Sequence, residues 1–212
     1  MDPHEVIENL TTKYPDLALL KDNIANACEA LTNSFHHQGK LLVCGNGGSC
    51  SDADHIVGEL MKSFEKKRSL KEDFVEKLME TAPKEGPYIA EKLENAVPAI
   101  SLNAHAALIT AIANDIDADL IFAQQIVGYG QKGDVFLGIT TSGNSKNVVN
   151  AAIAAKAKGL IVVALTGKTG GALKQFSDIA ICAPADNTAD VQEYHLPIYH
   201  TICKYVENSF FD

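Results

Sequence analysis

The chain has 212 residues, 46% of them apolar and 21% charged, with a formal net charge of −9 at pH 7. That length buries a sizeable core without disulfides or a structural metal. The acidic balance excludes general nucleic-acid binding, which rests on a basic face and released counterions.

A small anionic ligand remains admissible, because a few backbone N–H groups and hydroxyls at one helix start hold it whatever the net charge. No stretch approaches the ~20 uninterrupted apolar residues of a membrane span. The opening MDPHEVIENLTTKYPDL carries acids where a secretory signal has a basic and then an apolar region. A cytoplasmic protein with no membrane partner is expected. The cysteines at 28, 44, 50, 182 and 203 are odd in number and form no Cys-x-x-Cys pair, so they read as reduced and mostly buried.

In chain order, Val6, Leu10, Tyr14, Leu17, Leu20, Ile24, Cys28, Leu31 and Phe35 recur at helical steps, which predicts a helical segment over 1–37 broken near Pro15. Gly39 stops it, and KLLVC (40–44) is an apolar run of strand length. A glycine-rich turn and a helix follow. The stretch 61–96 concentrates charge around a Pro-x-x-Gly-Pro break, with helical spacing at Phe74 and Leu78 and again at Ile89 and Leu93. It predicts a helical hairpin inserted in the domain, either a solvated excursion with one core-facing stripe or an oligomer contact or lid.

AVPAISL (96–102), DVFLGI (134–139), GLIVVALT (159–166) and DIAICAP (178–184) are apolar without strict alternation, the pattern of strands buried on both faces of a parallel sheet. The fold expected is α/β: one domain over 1–212, a three-layer αβα sandwich around about five parallel strands. Ligands in such sheets bind beyond the carboxyl ends of the strands.

Two post-strand loops are alike in kind, Gly45-Asn46-Gly47-Gly48-Ser49 and Thr140-Thr141-Ser142-Gly143-Asn144-Ser145. Glycine lets the backbone approach a ligand, hydroxyls donate to oxygens, and a helix begins just beyond with unsatisfied N–H groups. Both suit a phosphate, and both also suit a tight turn with a hydroxyl N-cap. No lysine sits in either cradle, which argues against triphosphate chemistry. His55 and Glu59, four apart, share a helix face and so suit a divalent metal, acid and base duties, or a plain surface pair. Near the C-terminus Gln192, Glu193, His195 and His200 fall in a helix opened by Asn187 or Thr188. A lone histidine there would be structural; two polar pairs meeting at one sheet edge would not.

Five ordered motifs, GNGGSCSDADHIVGEL, AIANDIDA, GITTSGNSKNVVNAAIAAKAKG, VVALTGKTGG and TADVQEYHLPIYH, resemble the sugar isomerase (SIS) domain family, and within it the phosphoheptose isomerases, from about residue 38 onward. The resemblance implies an aldose-ketose isomerisation through an enediol, interconverting sedoheptulose 7-phosphate and D-glycero-D-manno-heptose 7-phosphate. It implies sugar contacts at Asn46, Gly47, Gly48 and Ser49 and at the pair Asn114 and Asp115, with Glu59 and Gln192 also touching substrate. Thr140, Thr141, Ser142 and Ser145 would grip the phosphate. Zinc ligands would be His55, Glu59, Gln192 and His200, with Glu59 as base and His200 as acid. A homotetramer with sites completed across subunit interfaces is implied as well.

Three departures qualify the transfer. Cys50 stands where alanine is common, Pro197 lies between Gln192 and His200 and removes a helical hydrogen bond, and the stretch 61–96 is long. An isomerase of another phosphosugar is the nearest alternative. A non-catalytic phosphosugar-binding or protein-binding regulator is the other, and four assembled chemical side chains would be of less use to it.

Overall fold

A computed structural model of the chain describes residues 3–211. Helix α1 (Pro3–Lys13), a 3-10 turn over Pro15–Leu20 and α2 (Lys21–His36) form the opening, so the break falls at Pro15 as its fixed φ and missing N–H demand. Residues 1 and 2 of the expected helical segment lie outside the described residues.

Five strands follow, β1 (Leu41–Gly45), β2 (Ala99–Ser101), β3 (Val135–Thr140), β4 (Ile161–Thr166) and β5 (Ile179–Cys182). They form one parallel sheet in the order β2-β1-β3-β4-β5, and every residue of β1 and β3 is buried. That burial explains why these strands read as unbroken apolar runs.

The helices divide between the two faces. On one face α2, α3 (Gly48–Met61) and α10 (Thr188–Phe210) pack through Ile24, Leu31, Ile56, Ile198 and Ile202 onto Leu41, Val43 and Leu137. On the other, α7 (Ala123–Tyr129) and α8 (Lys146–Ala157) pack through Ile126, Val148, Ala151 and Ala155 onto Leu42, Phe136 and Val162. The sheet therefore separates α3, which follows β1, from α8, which follows β3. Their strands are neighbours, so the chain departs from adjacent strand ends to opposite faces, the switch point where α/β sheets open a crevice.

The stretch after α3 is two structures, not the single hairpin expected. Helices α4 (Glu72–Thr81) and α5 (Gly86–Lys92) do form a hairpin, packing on each other while α4 buries none of its residues. Residues 62–71 instead form a strap bound to the body by Arg68, only 1% exposed. Its guanidinium donates to the Leu60 and Glu59 carbonyls at 2.7 and 2.8 Å and to Glu207 of α10 at 2.9 Å, and Glu207 also accepts the Phe64 and Glu65 N–H groups. These bonds fill the open carbonyls at the end of α3 and tie that end to α10. Helix α10 runs unbroken for 23 residues through Pro197, so the proline does not end it. Helix α6 (Ala106–Asp115) is apolar, yet Ile112 is its one buried residue among those described. No described helix is long and apolar enough to cross a membrane.

Candidate functional site

The two loops meet at the crevice. Asn46, Gly47 and Gly48 are exposed where β1 passes into α3, and Gly47 takes a positive φ of 57°. In the second loop Thr140 Oγ1 and Ser145 Oγ share a hydrogen bond of 3.0 Å, while Ser142 Oγ accepts the Asn144 N–H at 3.1 Å. Gly143, at φ 69°, lies so close to the Gly170 carbonyl that a Cβ would stand 2.2 Å from its oxygen. Only glycine fits that left-handed, crowded position. Thr141 and Ser142 border the start of α8, and hydroxyls beside a helix N-terminus are groups that suit an anion. Ser49 is 3% exposed and packed against Gly45, so the expected sugar contact there is not available to its side chain.

One residue of this crevice carried no signal of its own in the sequence. Asn147 donates to Asn46 Oδ1 at 3.0 Å and accepts from Asn46 Nδ2 at 2.9 Å, a reciprocal amide pair across 101 residues that bridges the two loops. Only the folded register of β1 beside β3 brings the two asparagines together.

A second constellation forms where α3 crosses α10. His55 Nε2 lies 3.1 Å from Glu59 Oε1, and His55 Nδ1 lies 3.0 Å from the Tyr199 hydroxyl. The ring of His200 meets those of His55 and Tyr199 edge to face, each at 5.0 Å between centroids. Lys62 donates to Glu59 Oε2 at 3.3 Å. Burial, with His55 next in effect, holds His200 below the ordinary histidine range, so its imidazole is neutral at pH 7. Its Nε2 is buried and has no hydrogen-bond partner. His55, Glu59 and His200 thus stand together as anticipated. Tyr199, 2% exposed, joins them, a residue that no motif or spacing singles out in the sequence.

Gln192 does not join them. Its amide rests on Gly48, where a Cβ would stand 2.4 Å from Nε2. The reason is height. Eight residues along a helix put Gln192 and His200 on one side of α10 but about 12 Å apart along its axis. Of the four expected zinc ligands, His55, Glu59 and His200 meet at the crossing, while the Gln192 amide lies beside Gly48. Among the described residues no three His, Cys, Asp or Glu side chains stand ready as a cation cage. Three donors still fit zinc in chemistry, two imidazoles and a carboxylate, and the orphaned His200 nitrogen is a buried donor that lacks a partner. Asn114 donates to Asp115 Oδ1 at 2.7 Å, and both are exposed at the end of α6. Neither has a hydrogen bond to the two loops among the described residues. His195 is structural: fully buried, its Nε2 donates to the Thr166 carbonyl at 3.2 Å.

The model of the SIS domain family matches residues 7–96 and again 77–167. The chain belongs to the SIS domain family. Among its relatives, the phosphoheptose isomerase of Sulfurimonas denitrificans is 36% identical over 96% of this chain and 86% of its own length. That of Shewanella sp. (strain W3-18-1) is 38% identical over 96% of this chain and 92% of its own. Among solved structures, a phosphoheptose isomerase from Francisella tularensis superposes with a TM-score of 0.76 at 34% identity, covering 94% of this chain and 92% of that one. The phosphoheptose isomerase of Neisseria gonorrhoeae gives 0.74 at 29%, covering 95% and 94%. As a SIS-domain protein the chain keeps its hydroxyl loop and its α3–α10 constellation on separate faces of the sheet.

Proposed function

We propose that this SIS-domain chain is a phosphosugar aldose-ketose isomerase that interconverts sedoheptulose 7-phosphate and D-glycero-D-manno-heptose 7-phosphate through an enediol. The observation that carries the reading is the α3–α10 crossing, which sets a carboxylate and a neutral imidazole beside His55. The relatives named phosphoheptose isomerase support the substrate.

In the ketose-to-aldose direction Glu59 takes a proton from C1, the enediol forms, and a proton returns at C2. Meanwhile the hydroxyl proton on O1 must reach O2. A neutral His200 suits that transfer, since one ring nitrogen gives a proton while the other accepts one. Thr140, Thr141, Ser142, Ser145 and the start of α8 hold the phosphate, and Asn46, Gly47, Gly48 and Gln192 meet the sugar. Zinc belongs to the proposal, with His55, Glu59 and His200 as its holders, and when bound it supplies positive charge to the enediolate oxygen.

A homotetramer with shared sites also belongs to it. Glu59 lies eleven residues along α3 from Gly48, about 16 Å of helical rise, and on the face of the sheet opposite α8. A phosphate on one chain's α8 is therefore better placed for another chain's Glu59 and His200. The exposed apolar α6, ending at Asn114 and Asp115, offers a surface for that neighbour. The five cysteines, all unpaired, suit a reducing compartment and a cytoplasmic location.

The test is an isomerase assay on sedoheptulose 7-phosphate and on five- and six-carbon phosphosugars, with and without zinc. Glu59→Gln and His200→Ala are each expected to lower kcat by about 10²-fold or more. No turnover on any of these sugars would remove the enzyme reading, and turnover that survives both substitutions would remove these roles.

A further inference from the structure

Successive carbonyls of the hydroxyl loop are taken up by donors. The loop that follows β4 supplies two of these, the Gly167 N–H to the Thr141 carbonyl at 3.0 Å and the Leu173 N–H to the Gly143 carbonyl at 2.9 Å. The carbonyl between them is held by a side chain instead: Asn144 Nδ2 donates to the Ser142 oxygen at 3.0 Å. The other end of that amide, Oδ1, accepts the Ala172 N–H at 3.0 Å, so Asn144 ties Ser142 to the loop after β4. A carbonyl oxygen carries partial negative charge and repels an anion, and one held by a donor does not turn to face it. Asn144 acts on the hydroxyl as well. Its backbone N–H donates to Ser142 Oγ at 3.1 Å, which occupies a lone pair of that oxygen and leaves the single hydroxyl proton to be given outward. Among the described residues no acceptor takes that proton, whereas Thr140 and Ser145 spend one of their two on each other.

Resting on the phosphate site of the isomerase reading, we propose that Asn144 is a positioning residue for substrate binding: it holds Ser142 by carbonyl and hydroxyl together, so that the hydroxyl proton is offered to a phosphate oxygen. Asn144 acts through Ser142 and not on the ligand. Both ends of its amide are needed, since an aspartate would keep the acceptor for Ala172 and lose the donor for Ser142, and an alanine would lose both. The side chain is exposed and fills no core, so its removal leaves the packing of the domain in place.

The test is calorimetric titration of inorganic phosphate into the full chain and into Asn144→Ala, Ser142→Ala and the double variant, joined to kinetics on the phosphosugar. Asn144→Ala should weaken phosphate about tenfold, the equivalent of one neutral hydrogen bond, and raise KM by the same factor with kcat within about threefold. Acting through Ser142, it should cost less than about twofold more once Ser142 is already alanine. Full additivity in the double variant overturns the proposal, as does an Asn144→Ala chain that binds phosphate unchanged or loses kcat while keeping KM. The unmodified chain gives a reading that needs no variant: the Asn144 backbone N–H signal in NMR should move as phosphate is added, and a signal that stays still while phosphate binds overturns the proposal. An unmodified chain that binds no phosphate removes the phosphate site and this inference with it. Should phosphate behave as stated while no phosphosugar is isomerised, the isomerase reading fails and the hold of Asn144 on Ser142 stands.

Discussion

His195 illustrates how a buried histidine sets a pH limit. Burial, offset in part by its bond to the Thr166 carbonyl, lowers its pKa to about 4 from the ordinary 6.5. The unfolded chain therefore takes up this proton first as pH falls, so the contribution is complete above about pH 6.5 and is lost on acidification towards pH 4. The loss amounts to about 3 kcal/mol. Urea unfolding of His195→Gln is expected to depend less steeply on pH than the unmodified chain between pH 6.5 and 4, with a remaining slope because His200 is shifted in the same direction. Equal slopes would contradict this account. Residue spacing made His55 and Glu59 legible, since four residues bring two side chains to one face at nearly one height. Eight residues likewise keep Gln192 and His200 on one side of α10, about 12 Å apart along its axis. Tyr199 and Asn147 were illegible because each acquires its partner from 144 or 101 residues away.

Among the elements, the strap at 62–71 does most to fix the site. Arg68 and Glu207, with side chains 0% and 1% exposed, clamp the end of α3 that bears Glu59 to the α10 that bears His200. Backbone N–H groups of Phe64 and Glu65 and the Arg68 guanidinium keep the Glu207 carboxyl below the ordinary carboxylate range against the effect of burial. Breaking one side of a buried pair leaves a charge without compensation. Glu207→Gln is expected to cost about 3–5 kcal/mol in urea unfolding, and a cost under about 1 kcal/mol would show that the strap is not a clamp. In the sequence this arginine sat unremarked among lysines and glutamates in the expected insertion, because charge runs reveal nothing of which member turns inward. The strands were legible from their glycine-bounded apolar runs, and even β2, only three residues long, fell inside its expected segment.

For the whole molecule, the uncovered apolar surface of α6 bears on assembly. Ala111 is exposed there, so Ala111→Glu leaves the fold of one chain undisturbed and places a charge where a neighbour would pack. Sedimentation at micromolar concentration is expected to give a tetramer for the unmodified chain and smaller species for Ala111→Glu, with activity falling in step. A monomeric unmodified chain would remove the shared-site proposal. The division of the helices between two faces of the sheet has a consequence for how such a protein changes over generations. Val148 and Ala151 core the layer behind the hydroxyl loop, and Ile56 and Ile198 the layer that bears Glu59 and His200, with five strands as a partition. Changes in the two layers share few contacts, so their energetic effects should add. Under the proposed roles, the layer behind the phosphate loop can drift with little effect on the layer that bears Glu59 and His200.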